Sequence, residues 1–200
     1  MTTRYFYDTE FLEDGKTIDL ISIGIACEDG REYYAVNAAV GDSLNDDDLG
    51  KRISRHDWLM ANVVPHLPLY QPQKRYDRSG PWMPPFLDMK STLVRPLWVI
   101  ANEVREFLLC DIPKGTDVEL WADYCAYDHV ALAQLWGPMI HLPKGIPMYT
   151  NDIQTYARLA GVSHKDLPKA TGDEHHALAD ARNVWDRYTH IRDAQRARTR

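Results

Sequence analysis

Apolar and polar positions along this chain alternate in some stretches, run together in others and recur at helical spacing elsewhere, and each pattern predicts a different element. Tyr5–Phe11 combines aromatic and β-favouring residues, Ile18–Cys27 contains the apolar run "LISIGIA", and Glu32–Ala38 continues with "EYYAVNA". Two "EDG" turns separate these strands, and Asp29-Gly30 suits a tight hairpin, so the chain opens on a β-meander. A helix is expected over Ser54–Val64. The prolines at 65, 68, 72, 81, 84 and 85 then predict a long surface excursion within residues 41–90.

Helical spacing returns at Leu93, Leu97, Ile100, Val104, Phe107 and Leu108, with two starts open: Ser91 as a candidate cap, or a later start set by Pro96, which sits early in the pattern. Asp117–Ala122 reads as a strand, followed by a helix over Tyr127–Trp136. "IPMYT" suits a short edge strand, and Asn151 to Ala160 a short helix capped by Asn151 or Thr150, with Gly161 just past its end. A final helix places Ala177, Ala181, Val184, Tyr188 and Ile191 on one face. This order predicts an α/β fold with a mixed sheet, formed by residues 1–200 as one domain that includes the Pro-rich excursion.

Composition narrows the class. Hydrophobic content of 44% and charged content of 26% are globular values, and the longest apolar run is far too short to span a bilayer, so a soluble, non-membrane protein is expected. The N-terminus enters strand-like sequence directly, which argues against a secretory signal. Cys27, Cys110 and Cys125 form no paired motif and are expected as small core residues in a reducing cytoplasm. A net charge of -6 argues against coating nucleic acid through a basic face but leaves room for acids that bind metal.

Candidate chemistry begins with two carboxylates inside the first strand. Side chains alternate along a strand, so Asp8 and Glu10 share a face while Thr9 points away. Either the strand frays and both acids are solvated, or a cation lies between them. Asp128 shares a helix face with Ala131, Leu132 and Leu135, and Asp180 borders the apolar stripe of the last helix, so two further acids approach the interior. Four carboxylates from three distant segments favour Mg²⁺ or Mn²⁺ over zinc, and the chemistry expected is metal-assisted phosphoryl hydrolysis.

"DTE" at 8–10, "YDHVAL" at 127–132 and "HHALADAR" at 175–182 resemble the three motifs of the DEDDh 3′–5′ exonucleases, a family that includes RNase T and oligoribonuclease. "YFYDTEF", "ISIG", "DGREYYAV" and "AYDHVALAQLWGPM" extend the resemblance to its short bacterial branch of AS-type 3′-exoribonucleases. The resemblance implies an RNase H-like fold with a central mixed five-stranded sheet flanked by helices. It implies two Mg²⁺ or Mn²⁺ ions held by Asp8, Glu10, Asp128 and Asp180, with His175 as general base. The substrate implied is the 3′ end of single-stranded RNA, degraded to nucleoside 5′-monophosphates, and the assembly implied is a homodimer.

Several readings compete. His176, four residues before Asp180, would be its neighbour on a continuous helix, whereas family spacing puts the base at His175, in a loop ahead of the helix. Asp123 offers a second acid in "ADYCAYD", although a turn or cap role suits its place at a strand end. Phe11 and Leu12 match the position where relatives wedge a side chain against the terminal base; ordinary core contacts are the alternative. A 3′–5′ exodeoxyribonuclease and an inactive nucleic-acid-binding module remain rival functions. Retention of all four acids and the histidine speaks against the module.

Overall fold

The computed structural model describes residues 1–70, 87–110, 112–113, 115–170 and 174–198. Its centre is β1 (Thr2–Glu13), which pairs antiparallel with β2 (Ile18–Cys27) on one side and parallel with β5 (Asp117–Ala122) on the other. β2 continues antiparallel to β3 (Glu32–Asn37) through the turn at Gly30, whose φ of +93° is one that glycine adopts without strain. Short parallel edges, β4 (Val94–Arg95) and β6 (Asn151–Asp152), complete a six-stranded mixed sheet in the order β4-β3-β2-β1-β5-β6. The α/β expectation and the flanking helices hold. The sheet has six strands rather than five because a two-residue edge leaves almost no periodicity to read.

Both faces of the sheet are covered, which explains why β2 is apolar throughout its centre. Tyr5, Tyr7, Ile23 and Ile25 pack against Ile100, Val104 and Leu108 of α3 (Leu97–Leu109) and Leu132 of α4 (Ala126–Gln134). On the opposite face Phe6 and Trp121 meet Ile153 and Ala157 of α5 (Ile153–Leu159) with Val184, Tyr188 and Ile191 of α6 (Ala177–Arg198). A third cluster joins Leu12, Ile21 and Val36 to Ile53 of α1 (Leu49–Ile53) and Leu59 of α2 (Asp57–Asn62). Each fully buried aliphatic side chain contributes about 1.5–3 kcal/mol.

Several boundaries differ from expectation. Of the helix expected over Ser54–Val64 only α2 (Asp57–Asn62) is α-helical: α1 ends just before it at Ile53, Ser54–His56 separate the two, and a 3₁₀ turn follows at Val64–His66. α3 takes the later of its two expected starts, at Leu97 rather than near Ser91, because Pro96 holds the preceding residue extended and Arg95 becomes part of an edge strand. "IPMYT" is irregular, and the strand lies one step later at Asn151–Asp152. Asp152, rather than Asn151 or Thr150, caps α5 by accepting the Thr155 N–H at 2.8 Å. Cys27 is buried as expected, whereas Cys110 is exposed just beyond α3. Prolines 72, 81, 84 and 85 of the excursion lie outside the described residues. Among the described residues no helix is long and apolar enough to cross a membrane.

Candidate active site

β1 and β5 stay paired only from Thr2↔Asp117 to Phe6↔Trp121, after which β5 turns to β6. Their separation opens a cleft of about 600 Å³ at the carboxyl end of β5, the usual place for a site in a sheet with parallel strands. Asp8 and Glu10 enter this cleft from β1, Asp128 from the first turn of α4 and Asp180 from the first turn of α6. The Thr9 backbone N–H, no longer facing β5, donates to Asp128 Oδ1 at 2.9 Å, and the Thr9 hydroxyl donates to the same oxygen at 2.7 Å. Thr9 therefore points away from its two acidic neighbours and fixes a third acid beside them.

The acids are crowded and poorly hydrated. Glu10 and Asp128 are only 8% and 6% exposed. Burial, followed by the charges of Asp180 and Asp128, pushes Glu10 up to about 8. Burial also pushes Asp128 up to about 6 while the two Thr9 hydrogen bonds oppose the shift. Asp8 rises well above the usual carboxylate range through desolvation and then through Asp128, Glu10 and Asp180. Such mutual repulsion is relieved by a cation.

His175 stands immediately before α6, not on it. Its φ of +68° is left-handed, a conformation few non-glycine residues adopt, and its backbone N–H donates to Asp180 Oδ2 at 2.8 Å. That bond opposes the upward pull of burial on Asp180. Ligand atoms of Glu10, His175 and Asp180 all lie within 4.8 Å of one another. A carboxylate-rich set of this kind fits a hard divalent cation such as Mg²⁺ or Mn²⁺. His176 follows a different course: its Nδ1 accepts the Ala179 N–H at 3.4 Å, and its ring stacks on Tyr34 with centroids 4.4 Å apart.

Gly24 sets the height of α6 above the sheet. Opposite Asp8 in the ladder, it faces the start of α6 so closely that an added Cβ would lie 2.2 Å from the Leu178 backbone nitrogen. The small residues Ala177 and Ala181, both fully buried, permit the approach that brings Asp180 to β1. On the other face the Tyr7 hydroxyl bonds Thr150 Oγ1 at 2.6 Å, and His129 Nδ1 reaches the same oxygen at 3.0 Å, anchoring α4 beneath β1.

The structure thus brings together Asp8, Glu10, Asp128, Asp180, His175 and Phe11. Phe11 lies at the cleft edge, in T-shaped contact with Tyr127 at 5.9 Å. Leu12 is not in the cleft; α1 and α2 cover it, and it joins the third core cluster at 5% exposure. Asp123 lies in the bend that follows β5, as expected of an acid at a strand end, but it caps no helix: it is ion-paired with Arg187 and accepts Gln154 Nε2 at 2.7 Å. Trp58, Lys169, Glu174 and Arg187 were not evident as site residues. Only Arg187 carried a sequence signal, since it recurs seven residues after Asp180 on the same helical face.

The profile of the 3′-5′ exoribonuclease Rv2179c-like domain matches residues 86–191. The chain is similar to 3′-5′ exoribonuclease Rv2179c of Mycobacterium tuberculosis strain H37Rv, with 41% identity over 186 residues, covering 92% of this chain and 90% of that protein. The same values relate it to 3′-5′ exoribonuclease MT2234.1 of M. tuberculosis strain CDC 1551, with 41% identity over 186 residues and coverage of 92% and 90%.

Proposed function

This chain belongs to the Rv2179c-like 3′–5′ exoribonuclease family, and we propose that its cleft hydrolyses phosphodiester bonds from the 3′ end of single-stranded RNA, releasing nucleoside 5′-monophosphates. The observation that carries the reading is the convergence of Asp8, Glu10, Asp128 and Asp180 with His175 in one cleft. This arrangement also supports the DEDDh assignment and a site for two Mg²⁺ or Mn²⁺ ions, with the four carboxylates as candidate ligands. When bound, the ions supply charge neutralisation at the scissile phosphate and acidify the attacking water.

The protein's own groups divide the remaining work. His175 takes the proton from the attacking water, a role suited to imidazole at neutral pH. Its left-handed backbone and bond to Asp180 hold it ahead of α6. Thr9 keeps Asp128 oriented through two hydrogen bonds. Phe11, Tyr127 and Trp58 offer aromatic surface along the cleft for the terminal base, a sequence-tolerant contact. Leu12 acts from the core by supporting Phe11's strand.

An RNA substrate follows the family description, and a homodimer in the cytoplasm belongs to the same reading. The test is digestion of matched single-stranded RNA and DNA by wild-type protein, Asp8→Ala and His175→Ala, with recovery of the released nucleotide. RNA shortened from its 3′ end to 5′-monophosphates, with both variants inactive, is expected. Faster loss of the matched DNA would instead establish an exodeoxyribonuclease. Tight RNA binding without cleavage would indicate the inactive module.

A further inference from the structure

The charge around the cleft is uneven. Among the described residues, Asp8, Glu10, Asp123, Asp128, Glu174 and Asp180 line it, opposed by Lys169 and Arg187. The acids nearest His175 suit the scissile phosphate once cations are bound. Each further phosphate of an RNA strand brings another negative charge towards the same acidic wall and needs a positive partner there.

Arg187 is already committed. Its guanidinium pairs with Asp123, and its Nε donates to the Pro168 carbonyl at 3.0 Å. Asp123 is tied in turn to α5 through Gln154, whose Oε1 lies 2.9 Å from His164 Nδ1. This network fastens the 163–168 segment to α6 and fixes the backbone immediately before Lys169. Lys169 itself is exposed on the rim and has no carboxylate partner among the described residues.

Taking the cleft as an RNA 3′-end site, we propose that Lys169 binds the first phosphate beyond the scissile one. An ammonium suits this contact because it is a mobile point charge with three donors, able to follow a flexible single strand without demanding one geometry. The Asp123–Arg187 pair is its positioning device: it holds Pro168, and therefore Lys169, at the rim. The subsite reads the backbone and not the base, so it gives length preference without sequence preference.

The experiment uses the full chain with Mn²⁺ and two substrates. The p-nitrophenyl ester of a nucleoside 5′-monophosphate carries only the scissile diester; a ribotrinucleotide carries one more. Lys169→Ala is expected to raise KM for the trinucleotide about ten-fold more than KM for the ester and to lower the trinucleotide's log KM against log salt slope by about 0.7, as for one lost phosphate contact. Lys169→Arg restores most of the difference. Equal changes for both substrates, or an unchanged salt slope, would overturn the contact while leaving the nuclease reading intact. Wild-type protein that hydrolyses neither substrate would overturn the exoribonuclease reading and this subsite with it.

Discussion

Trp58 and His175 meet edge to face, with ring centroids 4.8 Å apart and planes inclined by 76°. Trp58 comes from α2, within the Pro-rich excursion, and its neighbour Leu59 is anchored in the core beside Leu12. The excursion therefore supplies a wall of the site as well as surface. Trp58→Ala is expected to lower kcat/KM about ten-fold, near the upper range of an aromatic pair, while Trp58→Phe keeps most activity. Steady-state kinetics on a short ribonucleotide check this; an unchanged kcat/KM in Trp58→Ala would remove Trp58 from the site.

The contact at Gly24 leads to a structural prediction with a catalytic consequence. A Cβ at this position meets backbone atoms of Ala177 and Leu178, which cannot rotate aside as a flexible side chain can. Gly24→Ala is expected to cost about 1–3 kcal/mol through overpacking, with activity falling as α6 carries Asp180 away from β1. Thermal denaturation and RNA digestion on the same preparation measure both effects.

His175 and Asp180 can be separated experimentally despite their shared hydrogen bond. If the imidazole is the base, His175→Ala lowers kcat by roughly 10²–10⁴ and changes Mn²⁺ affinity little. Asp180→Ala loses both activity and affinity, because it removes a candidate ligand and the acceptor that holds His175. Calorimetric Mn²⁺ titration distinguishes the cases; a comparable affinity loss in His175→Ala would make the imidazole a ligand instead.

The raised acids make metal-free stability depend on pH. Glu10 at about 8 and Asp128 at about 6 in the folded state lie above ordinary carboxylate values, so the folded protein retains protons that the unfolded chain has released. Stability is therefore fullest below about pH 4 as far as these groups contribute, and it declines as pH rises through about 6 and then about 8. Divalent cation favours the ionised forms, so its stabilising effect grows over the same window. In EDTA, Tm is expected to fall by several degrees between about pH 5 and about pH 9, each kcal/mol corresponding to about 2–4 °C, with Mn²⁺ recovering most of the loss. Glu10→Gln flattens the profile; an identical slope in that variant would contradict the assignment.

Legibility in the sequence followed periodicity. The strand alternation that put Asp8 and Glu10 on one face, and the spacing that put Asp180 beside Ala177, Ala181 and Val184, both describe real elements. Elements of two residues carry no period: β4 went uncounted, and β6 was expected one step early, at "IPMYT". Leu12 illustrates a second limit: it continues the Asp8 and Glu10 alternation, but only the path of α1 and α2 decides that it is covered. Trp58 and Lys169 reach the cleft through tertiary placement, for which their local sequence gives no signal.

The most direct measurement is a time course with 5′-labelled single-stranded RNA, comparing wild-type protein in Mn²⁺, wild-type protein in EDTA and Asp8→Asn in Mn²⁺. A ladder shortening one nucleotide at a time from the 3′ end, present only in the first reaction, is the result predicted. Equal cleavage in EDTA, or by Asp8→Asn, would contradict the carboxylate-held metal site.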